Sequence, residues 1–292
     1  MPMADSRGAQ IHYEVFGEGM PVLFLHEFAG DHRSWIDQVR RFARGHRCIC
    51  LSARGYPPSD APADADSYSQ ALANADALAV LDALAIEQAH IVGLSMGAYT
   101  ALQLAIYHPA RVRAVVAASG GSGAYRPTRD AFIAQTLASA DAIQAAGALP
   151  VEEMGIAATR IQLLRKDPLG WALFCANLSE HPAQAAAHTL RGIQAARPSL
   201  YDLETALSQV DAPVLLLVGD EDEPCLDVNL WLKRIMRTAR LQVLPGTGHA
   251  VNLEEPAAFN AAVASFLDAV ETGRWRPRDP LAAAGADIYR GR

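Results

Sequence analysis

The sequence predicts an α/β fold: a mostly parallel, twisted sheet flanked by helices, with an inserted helical cap. Two observations predict it. Short apolar runs alternate with longer stretches whose apolar side chains recur at helical spacing. One long Ala- and Leu-rich region has helical patterns but no run typical of a strand. Because alternating strands and helices build a sheet covered on both faces, the purely helical region is expected to be an insertion between two strands.

The apolar runs give the order of the predicted elements. An antiparallel hairpin over residues 3–16, turning at Arg7-Gly8, is expected to lead into the sheet. The predicted strands of the sheet are 22–25, 47–51, 89–92, 112–118, 214–218 and 241–244. The helical spacing predicts helices over 35–43, 69–84, 96–107, 226–237 and 256–270.

These elements divide the chain into a core, a cap and a tail. The core is expected over 1–123 and 209–273, and the helical cap over 124–208. Turn sequences stand on both sides of the cap, Gly120-Gly121-Ser122-Gly123 before it and Asp211-Ala212-Pro213 after it. The last segment, 274–292, mixes Pro, Gly and charged residues and is predicted to be a loosely held tail.

Composition narrows the functional classes. The 292 residues are 51% apolar and 20% charged, with a formal net charge of −7, which argues against a nucleic acid partner. The first residues lack an apolar signal region and no long uncharged apolar run occurs, so a cytoplasmic protein without membrane contact is expected. The four cysteines are too scattered for a disulfide framework, and Cys48-x-Cys50 has no second pair with which to bind zinc.

Gly93-Leu94-Ser95-Met96-Gly97 is the strongest chemical motif. This G-x-S-x-G pattern follows a predicted strand and opens a predicted helix, the context in which a serine is exposed on a sharp strand-to-helix turn. The first N–H groups of the helix can then stabilise a developing negative charge. The alternative is a glycine-rich turn whose serine only caps the helix, so the nucleophile needs support from partner residues.

A serine hydroxyl needs a base, and the base needs a third group that fixes its tautomer. His249 is the candidate base. It follows the last predicted strand in Gly246-Thr247-Gly248-His249, where a flexible loop can carry an imidazole to the carboxyl edge of the sheet. Acidic residues suited to orient it follow the preceding strand: Asp220, Glu221, Asp222, Glu223 and Asp227.

Together with the Ser95 motif, several further stretches resemble the α/β-hydrolase superfamily over about 22–270, apart from the cap. They are Leu25-His26 before Gly30, Arg54-Gly55 with Ser59-Asp60, His108-Pro109 to Val116, Pro213 to Asp222, and Gly248-His249. The resemblance to the family's G-x-x-D turn selects Asp222 as the acid, with Asp220 second. It also implies an oxyanion hole formed by the backbone N–H groups of Phe28 and Met96.

Glu27 departs from the family pattern, which has Gly after the histidine of this loop. One expectation is that Glu27 pairs with a basic residue such as Arg54 and only shapes the loop. The other is that its carboxylate faces the pocket, where it disfavours anionic substrates or acts as an extra acid or base.

The expected function is that of a serine esterase that cleaves a small carboxylic ester or lactone through an acyl-enzyme, without a metal or another cofactor. The same triad could instead cleave an amide or a C–C bond next to a ketone, and a non-catalytic ligand-binding homologue is the rival class. Glu27, Trp35, Tyr125 and Trp171 are the candidate substrate-binding residues, part of an aromatic and Met set that also includes Phe28, Phe132, Met154 and Phe174. The cap helices fit either internal packing or a homodimer interface.

Overall fold

The computed structural model describes residues 1–283 and contains one eight-stranded sheet in the order β1-β2-β4-β3-β5-β6-β7-β8. Strands β1 and β2 form the predicted antiparallel hairpin, β2 pairs with β4 antiparallel, and the other neighbouring strands pair in parallel. The strands are β1 (Met3–Ser6), β2 (Ala9–Phe16), β3 (Met20–Leu25), β4 (His46–Leu51), β5 (Ala89–Leu94), β6 (Val112–Ala118), β7 (Val214–Gly219) and β8 (Ala239–Leu244).

Helices cover both faces of this sheet, which confirms the predicted α/β fold. The core helices are α1 (Ile36–Phe42), α2 (Gln70–Ala83), α3 (Met96–Tyr107), α10 (Glu223–Ile235), α11 (Val251–Glu254) and α12 (Pro256–Glu271). On one face, side chains of α1 and α12 pack on the sheet around Phe24, while α2, α3 and α10 contribute to a second cluster on the other face. Strand β5 is buried throughout, as expected for the centre of a parallel sheet.

The region between β6 and β7 is helical in the structure. It contains α4 (Arg129–Ala146), α5 (Val151–Gly155), α6 (Ile161–Lys166), α7 (Pro168–Leu178), α8 (Ala183–Thr189) and α9 (Glu204–Ser208). A π-helical turn, Leu190–Ala195, follows α8. Much of this cap has its own small core, which contacts Ala29 in the loop after β3. The cap therefore packs directly on the loop expected to hold the oxyanion.

The predicted helix over 35–43 corresponds to α1 to within one residue at each end, and a 3₁₀ turn, His32–Trp35, capped by the Asp31 side chain, precedes it. The predicted tail differs from the structure. The start of the predicted tail is not loose: the Trp275 ring packs edge-on against Phe266, and its Nε1 donates to the Thr238 carbonyl at 2.9 Å. The short helix α13 (Pro280–Ala283) follows, and residues 284–292 of the predicted tail lie outside the described part. Across residues 1–283, no helix is long and apolar enough to cross a membrane.

A buried ion pair fixes the loop after β4, next to the site. Arg54 donates to both carboxylate oxygens of Asp76 on α2, at 3.2 and 2.6 Å, and to the Ser6 carbonyl oxygen at 2.9 Å. Both side chains are less than a tenth exposed. Arg54 is therefore committed to the interface between the hairpin, this loop and α2.

Asp76→Asn is expected to destabilise the fold by about 3–5 kcal/mol, because it leaves the buried Arg54 guanidinium without its counter-charge. The free energy of unfolding in urea measures the effect. Asp82→Asn is the matched control, since Asp82 pairs with Arg111 on the surface, and it should cost less than about 1 kcal/mol. Equal effects of the two substitutions would contradict this account.

Candidate active site

Ser95 occupies a strained turn at the carboxyl end of β5. Its backbone has φ +53° and ψ −107°, it precedes the first residue of α3, and its N–H donates to the Ala118 carbonyl oxygen at 2.8 Å. A positive φ is unfavourable for a side chain such as serine and persists only where the surroundings impose it. The hydroxyl is thereby placed above the sheet edge, at the amino end of a helix.

The two glycines of the motif are required by close packing. A Cβ at Gly93 would collide with the backbone of Gly97 and Ala98, and one at Gly97 would collide with the Leu25 carbonyl group. The strand, the turn and the helix therefore approach one another at distances that only glycine permits.

Asp222 and His249 meet at the carboxyl edge of the sheet, where Ser95 also lies. Asp222 follows β7 and His249 follows β8, and the Nδ1 of His249 lies 2.9 Å from the Oδ2 of Asp222. Because a carboxylate only accepts, this contact places the proton on Nδ1 and directs Nε2 away from Asp222. Asp220, the second candidate acid, instead accepts from the Thr247 N–H at 3.1 Å and shapes the loop.

The loop that carries His249 is fixed on both sides. Glu254 accepts from the N–H groups of Gly248 and Ala250, at 2.5 and 3.0 Å, and the His249 N–H donates to the Thr159 carbonyl oxygen of the cap at 2.6 Å. Burial raises the pKa of Glu254, and the two backbone donors oppose that rise. The imidazole is thus held by contacts to both the core and the cap.

The charge of His249 is set by Asp222. Burial of the imidazole would lower its pKa, but the Asp222 carboxylate outweighs burial and raises the pKa of His249 well above the ordinary value. The same pairing holds the pKa of Asp222 below its ordinary value, although burial acts in the opposite direction.

The link between Ser95 and His249 is less direct than the sequence predicts. Within residues 1–283, no hydrogen bond joins the Ser95 hydroxyl to the imidazole. The Nε2 of His249 instead lies 4.0 Å from the Glu27 carboxylate, which attracts a protonated imidazole. Catalytic hydrogen bonds are often long without substrate and tighten when it binds.

Glu27 pairs with Arg160 of the cap, so the expected partner Arg54 is wrong. Arg160 contacts both Glu27 carboxylate oxygens, one of them at 2.7 Å, while Arg54 is occupied by Asp76. Glu27 is 1% exposed, and burial would raise its pKa, but the guanidinium outweighs burial and keeps that pKa low. The ion pair therefore joins the loop after β3 to the cap directly beside His249.

The backbone donors of the predicted oxyanion hole are available. In the described part of the chain, neither the Phe28 N–H nor the Met96 N–H has an acceptor in the protein. His26 holds the first loop in place, since its Nδ1 donates to the Glu27 carbonyl at 2.6 Å and its Nε2 accepts from the Ala53 N–H at 2.9 Å. Burial lowers the pKa of His26 to about 4, so the imidazole stays neutral, as both contacts require.

An apolar cavity of about 480 Å³ opens in the cap beside Phe28. Phe28 is its one lining residue from the core among those described, and Ser139 is its one polar side chain. The cap contributes mainly small and apolar side chains: Ala142, Ile143, Ala146, Ala148, Leu149, Pro150, Met154 and Leu190. Phe28 thus belongs both to this cavity, which its side chain lines, and to the predicted oxyanion hole, to which it contributes its backbone N–H.

The expected aromatic lining is only partly present. Trp35 is wrong as a substrate-binding residue, because its ring is fully buried against Phe24 and Phe259 in the core. Trp171 does not line this cavity either; it packs within the cap and donates to the Gly155 carbonyl at 3.0 Å. Tyr125 is 39% exposed at the start of the cap and is likewise absent from the lining.

Comparison with known proteins agrees with this architecture. The sequence profile of the alpha/beta hydrolase fold matches residues 20–256, so the chain belongs to the α/β-hydrolase family. A solved structure of a hydrolase from Pseudomonas aeruginosa superposes with a TM-score of 0.80 at 26% identity, covering 91% of this chain and 97% of that one.

Two curated relatives span nearly the whole chain. A 3-oxoadipate enol-lactonase of Acinetobacter baylyi is 25% identical over 92% of this chain and 97% of its own length. A 2-hydroxy-6-oxononadienedioate/2-hydroxy-6-oxononatrienedioate hydrolase of Paraburkholderia xenovorans is 29% identical over 88% of this chain and 90% of its own length. These relatives support hydrolase activity without fixing the bond that is cleaved.

Two residues of the site have no signal in the sequence. Arg160 belongs to the cap, where no motif marks it, and Glu254 follows His249 in a short helix that the periodicity does not predict. Both act through contacts between distant segments, and only the folded chain reveals those contacts.

Asp222→Asn is expected to lower the pKa of the His249 imidazole markedly, because the charge that raises it is removed. A histidine titration followed by NMR measures this. Asp220→Asn is the control, since Asp220 binds the loop backbone and not the imidazole. If Asp220→Asn lowered the pKa as much as Asp222→Asn, the assignment of Asp222 as the orienting acid would fail.

Proposed function

We propose that this protein is a serine hydrolase that cleaves a carboxylic ester or lactone through an acyl-enzyme, with Ser95, His249 and Asp222 as the catalytic triad. The hydrogen bond between Asp222 and His249, at the sheet edge that also carries the strained Ser95 turn, is the observation that carries this proposal. A ligand-binding module does not require an imidazole whose tautomer is fixed in this way at the sheet edge that carries the serine.

In the proposed reaction, the Nε2 of neutral His249 accepts the Ser95 proton while the serine oxygen bonds to the substrate carbonyl carbon. Because the pKa of His249 is raised, activity should increase with pH as the imidazole loses its second proton. The Phe28 and Met96 N–H groups stabilise the oxyanion. When the ester C–O bond breaks, His249 donates its proton to the departing oxygen. Water then attacks the acyl-enzyme by the same route, which releases the acid and restores Ser95. Asp222 and Glu27 both stabilise the transient imidazolium.

The cavity in the cap supports an apolar acyl or alcohol group in the substrate. Its small side chains leave room, and Phe28 places it beside the proposed oxyanion hole. The carboxylate of Glu27, neutralised by Arg160, lies 4.0 Å from the Nε2 of His249. An ester with one apolar arm fits these surroundings best.

Ser95→Ala is expected to lower kcat for a p-nitrophenyl ester by at least about 10⁴-fold and to abolish labelling by a fluorophosphonate probe, because the nucleophile is lost. Mass spectrometry of the labelled wild type should locate the adduct on Ser95. Ser208→Ala, on the surface of α9, is the control and should be labelled normally. A folded wild type that is inert to both substrate and probe would favour a ligand-binding homologue.

Ala142→Phe is expected to reduce kcat/KM for long-chain p-nitrophenyl esters by about 10-fold or more, because the new ring fills the cavity that we assign to the apolar arm. Acetate esters, which need less room, should be hydrolysed nearly as before. A uniform loss for all chain lengths, or no loss at all, would show that the substrate lies elsewhere.

Hydrolysis of a C–C bond next to a ketone is the second candidate. The Paraburkholderia relative is named for a 6-oxo diacid that has neither an ester nor an amide, so its hydrolysis breaks a C–C bond. Comparing kcat/KM for vinylogous diketones with those for esters and lactones separates the candidates. Clear preference for the diketones would replace the ester proposal while retaining the same triad.

A further inference from the structure

A cluster of two histidines and one carboxylate lies apart from the residues of the proposed triad. His12 and Glu14 are two positions apart on β2 and therefore project from the same face of that strand, while His32 begins the 3₁₀ turn that follows the loop after β3. The rings of His12 and His32 meet edge to face, with their centroids 4.9 Å apart. Both Nε2 atoms lie 3.9 Å from the same Glu14 oxygen.

The hydrogen bonds of His12 define its tautomer. Its Nδ1 lies 3.2 Å from the Pro2 carbonyl oxygen, which can only accept, so Nδ1 carries the proton. The Nε2 atom then keeps a lone pair. That atom is fully buried and has no hydrogen-bond partner among the described residues, an arrangement that is costly unless another group binds it.

The hydrogen bonds of His32 define its tautomer as well. Its Nδ1 lies 2.8 Å from the Ser52 hydroxyl, whose own hydrogen is donated to the Pro57 carbonyl oxygen at 2.9 Å. Ser52 must therefore accept from Nδ1–H, and the Nε2 of His32 also keeps a lone pair. One ligand atom from each of His12, His32 and Glu14 thus lies within 4.8 Å of the other two.

We propose that His12, Glu14 and His32 bind a divalent first-row transition metal, with zinc(II) as the probe. Imidazole and carboxylate ligands suit such ions, and a backbone or hydroxyl partner on the second ring nitrogen is the usual support of a metal-binding histidine. This site departs from the expectation, drawn from the sequence, that the chain binds no metal.

The distances between the Glu14 oxygen and the two Nε2 atoms need only a small adjustment to bind a metal ion. Tetrahedral zinc would hold its ligand atoms about 3.3 Å apart, so Glu14 must move by roughly half an ångström. The Glu14 side chain is 41% exposed and the His32 side chain 11% exposed, so both have more freedom to adjust than the buried His12. A cavity of about 230 Å³ beside Glu14 and His32 leaves room for water as a further ligand.

A second pair of histidines serves as an internal contrast. His46 and His90 direct their Nε2 atoms at one oxygen of Glu271, at 3.0 and 3.1 Å. Those are hydrogen-bond distances, so these nitrogens donate protons to the carboxylate and their lone pairs are not free. His46, His90 and Glu271 are therefore not expected to bind a metal, although they are the same residue types as the proposed ligands.

Zinc affinity of the tag-free, full-length protein, measured in competition with a chromogenic chelator, tests the proposal. Glu14→Gln and His32→Gln should each weaken the binding of one zinc equivalent by at least 10-fold. Ser52→Ala, which removes the acceptor of the His32 Nδ1–H and also the hydrogen bond from Ser52 to the Pro57 carbonyl, should weaken it about 10-fold. His46→Gln is the matched control and should bind zinc like the wild type. Circular dichroism establishes that each variant is folded.

A second group of residues could also bind zinc and must be distinguished from the proposed site. Asp222, Cys225 and His249 also bring ligand atoms within 4.8 Å of one another. The titration is therefore repeated with His249→Ala, which should retain the equivalent assigned to His12, Glu14 and His32. If His249→Ala removes that equivalent, or if wild type, Glu14→Gln and His32→Gln bind zinc alike, the proposal is overturned.

Discussion

The left-handed backbone conformation of Ser95 costs about 1–3 kcal/mol in an isolated residue, and the surrounding fold must supply that energy. It does so through parallel pairing of β5 with β3 and β6, which fixes the strand, and through the glycines at 93 and 97, which let the turn and α3 approach Leu25. The turn is therefore a property of the packed sheet rather than of the pentapeptide alone. Every other group of the site is placed relative to it, because β7 and β8 run parallel to β5 and end at the same edge.

The second organising contact is the buried ion pair between Glu27 and Arg160. A buried pair contributes little net stability, but removing either partner leaves an uncompensated charge. Glu27 belongs to the loop that carries the Phe28 N–H, and Arg160 belongs to the cap close to Thr159, which holds the backbone of His249. The pair consequently ties the position of the cap to two groups of the proposed catalytic centre. With Gly at this position, apolar packing at Phe28 and Ala29 would still join the loop to the cap, and Glu27 adds a buried ion pair to that contact.

Much of this arrangement could be predicted from local sequence. The apolar runs gave most strand limits to within two residues, because a buried parallel strand must be apolar on both faces. Ser95 and His249 were identifiable since each stands in a glycine-containing turn directly after a strand. The partner of Glu27 and the role of Trp35 could not be identified from the sequence, because both depend on which distant segments the fold brings together. A sequence pattern shows that Trp35 is apolar at helical spacing but not whether it faces a cavity or Phe259.

His12 and His32 come together only in the folded chain. They are twenty positions apart, and their shared feature is the protonated nitrogen that each directs at a protein acceptor. No motif encodes that orientation.

The Glu27–Arg160 contact also couples motion to titration. If the cap lifts to admit substrate, Arg160 moves with it. The buried Glu27 carboxylate then loses the guanidinium that stabilises it as an anion. The solvent must then hydrate that anion or protonate it. Separating Glu27 from Arg160 would therefore raise the pKa of the Glu27 carboxyl, because burial would then act without the guanidinium that opposes it.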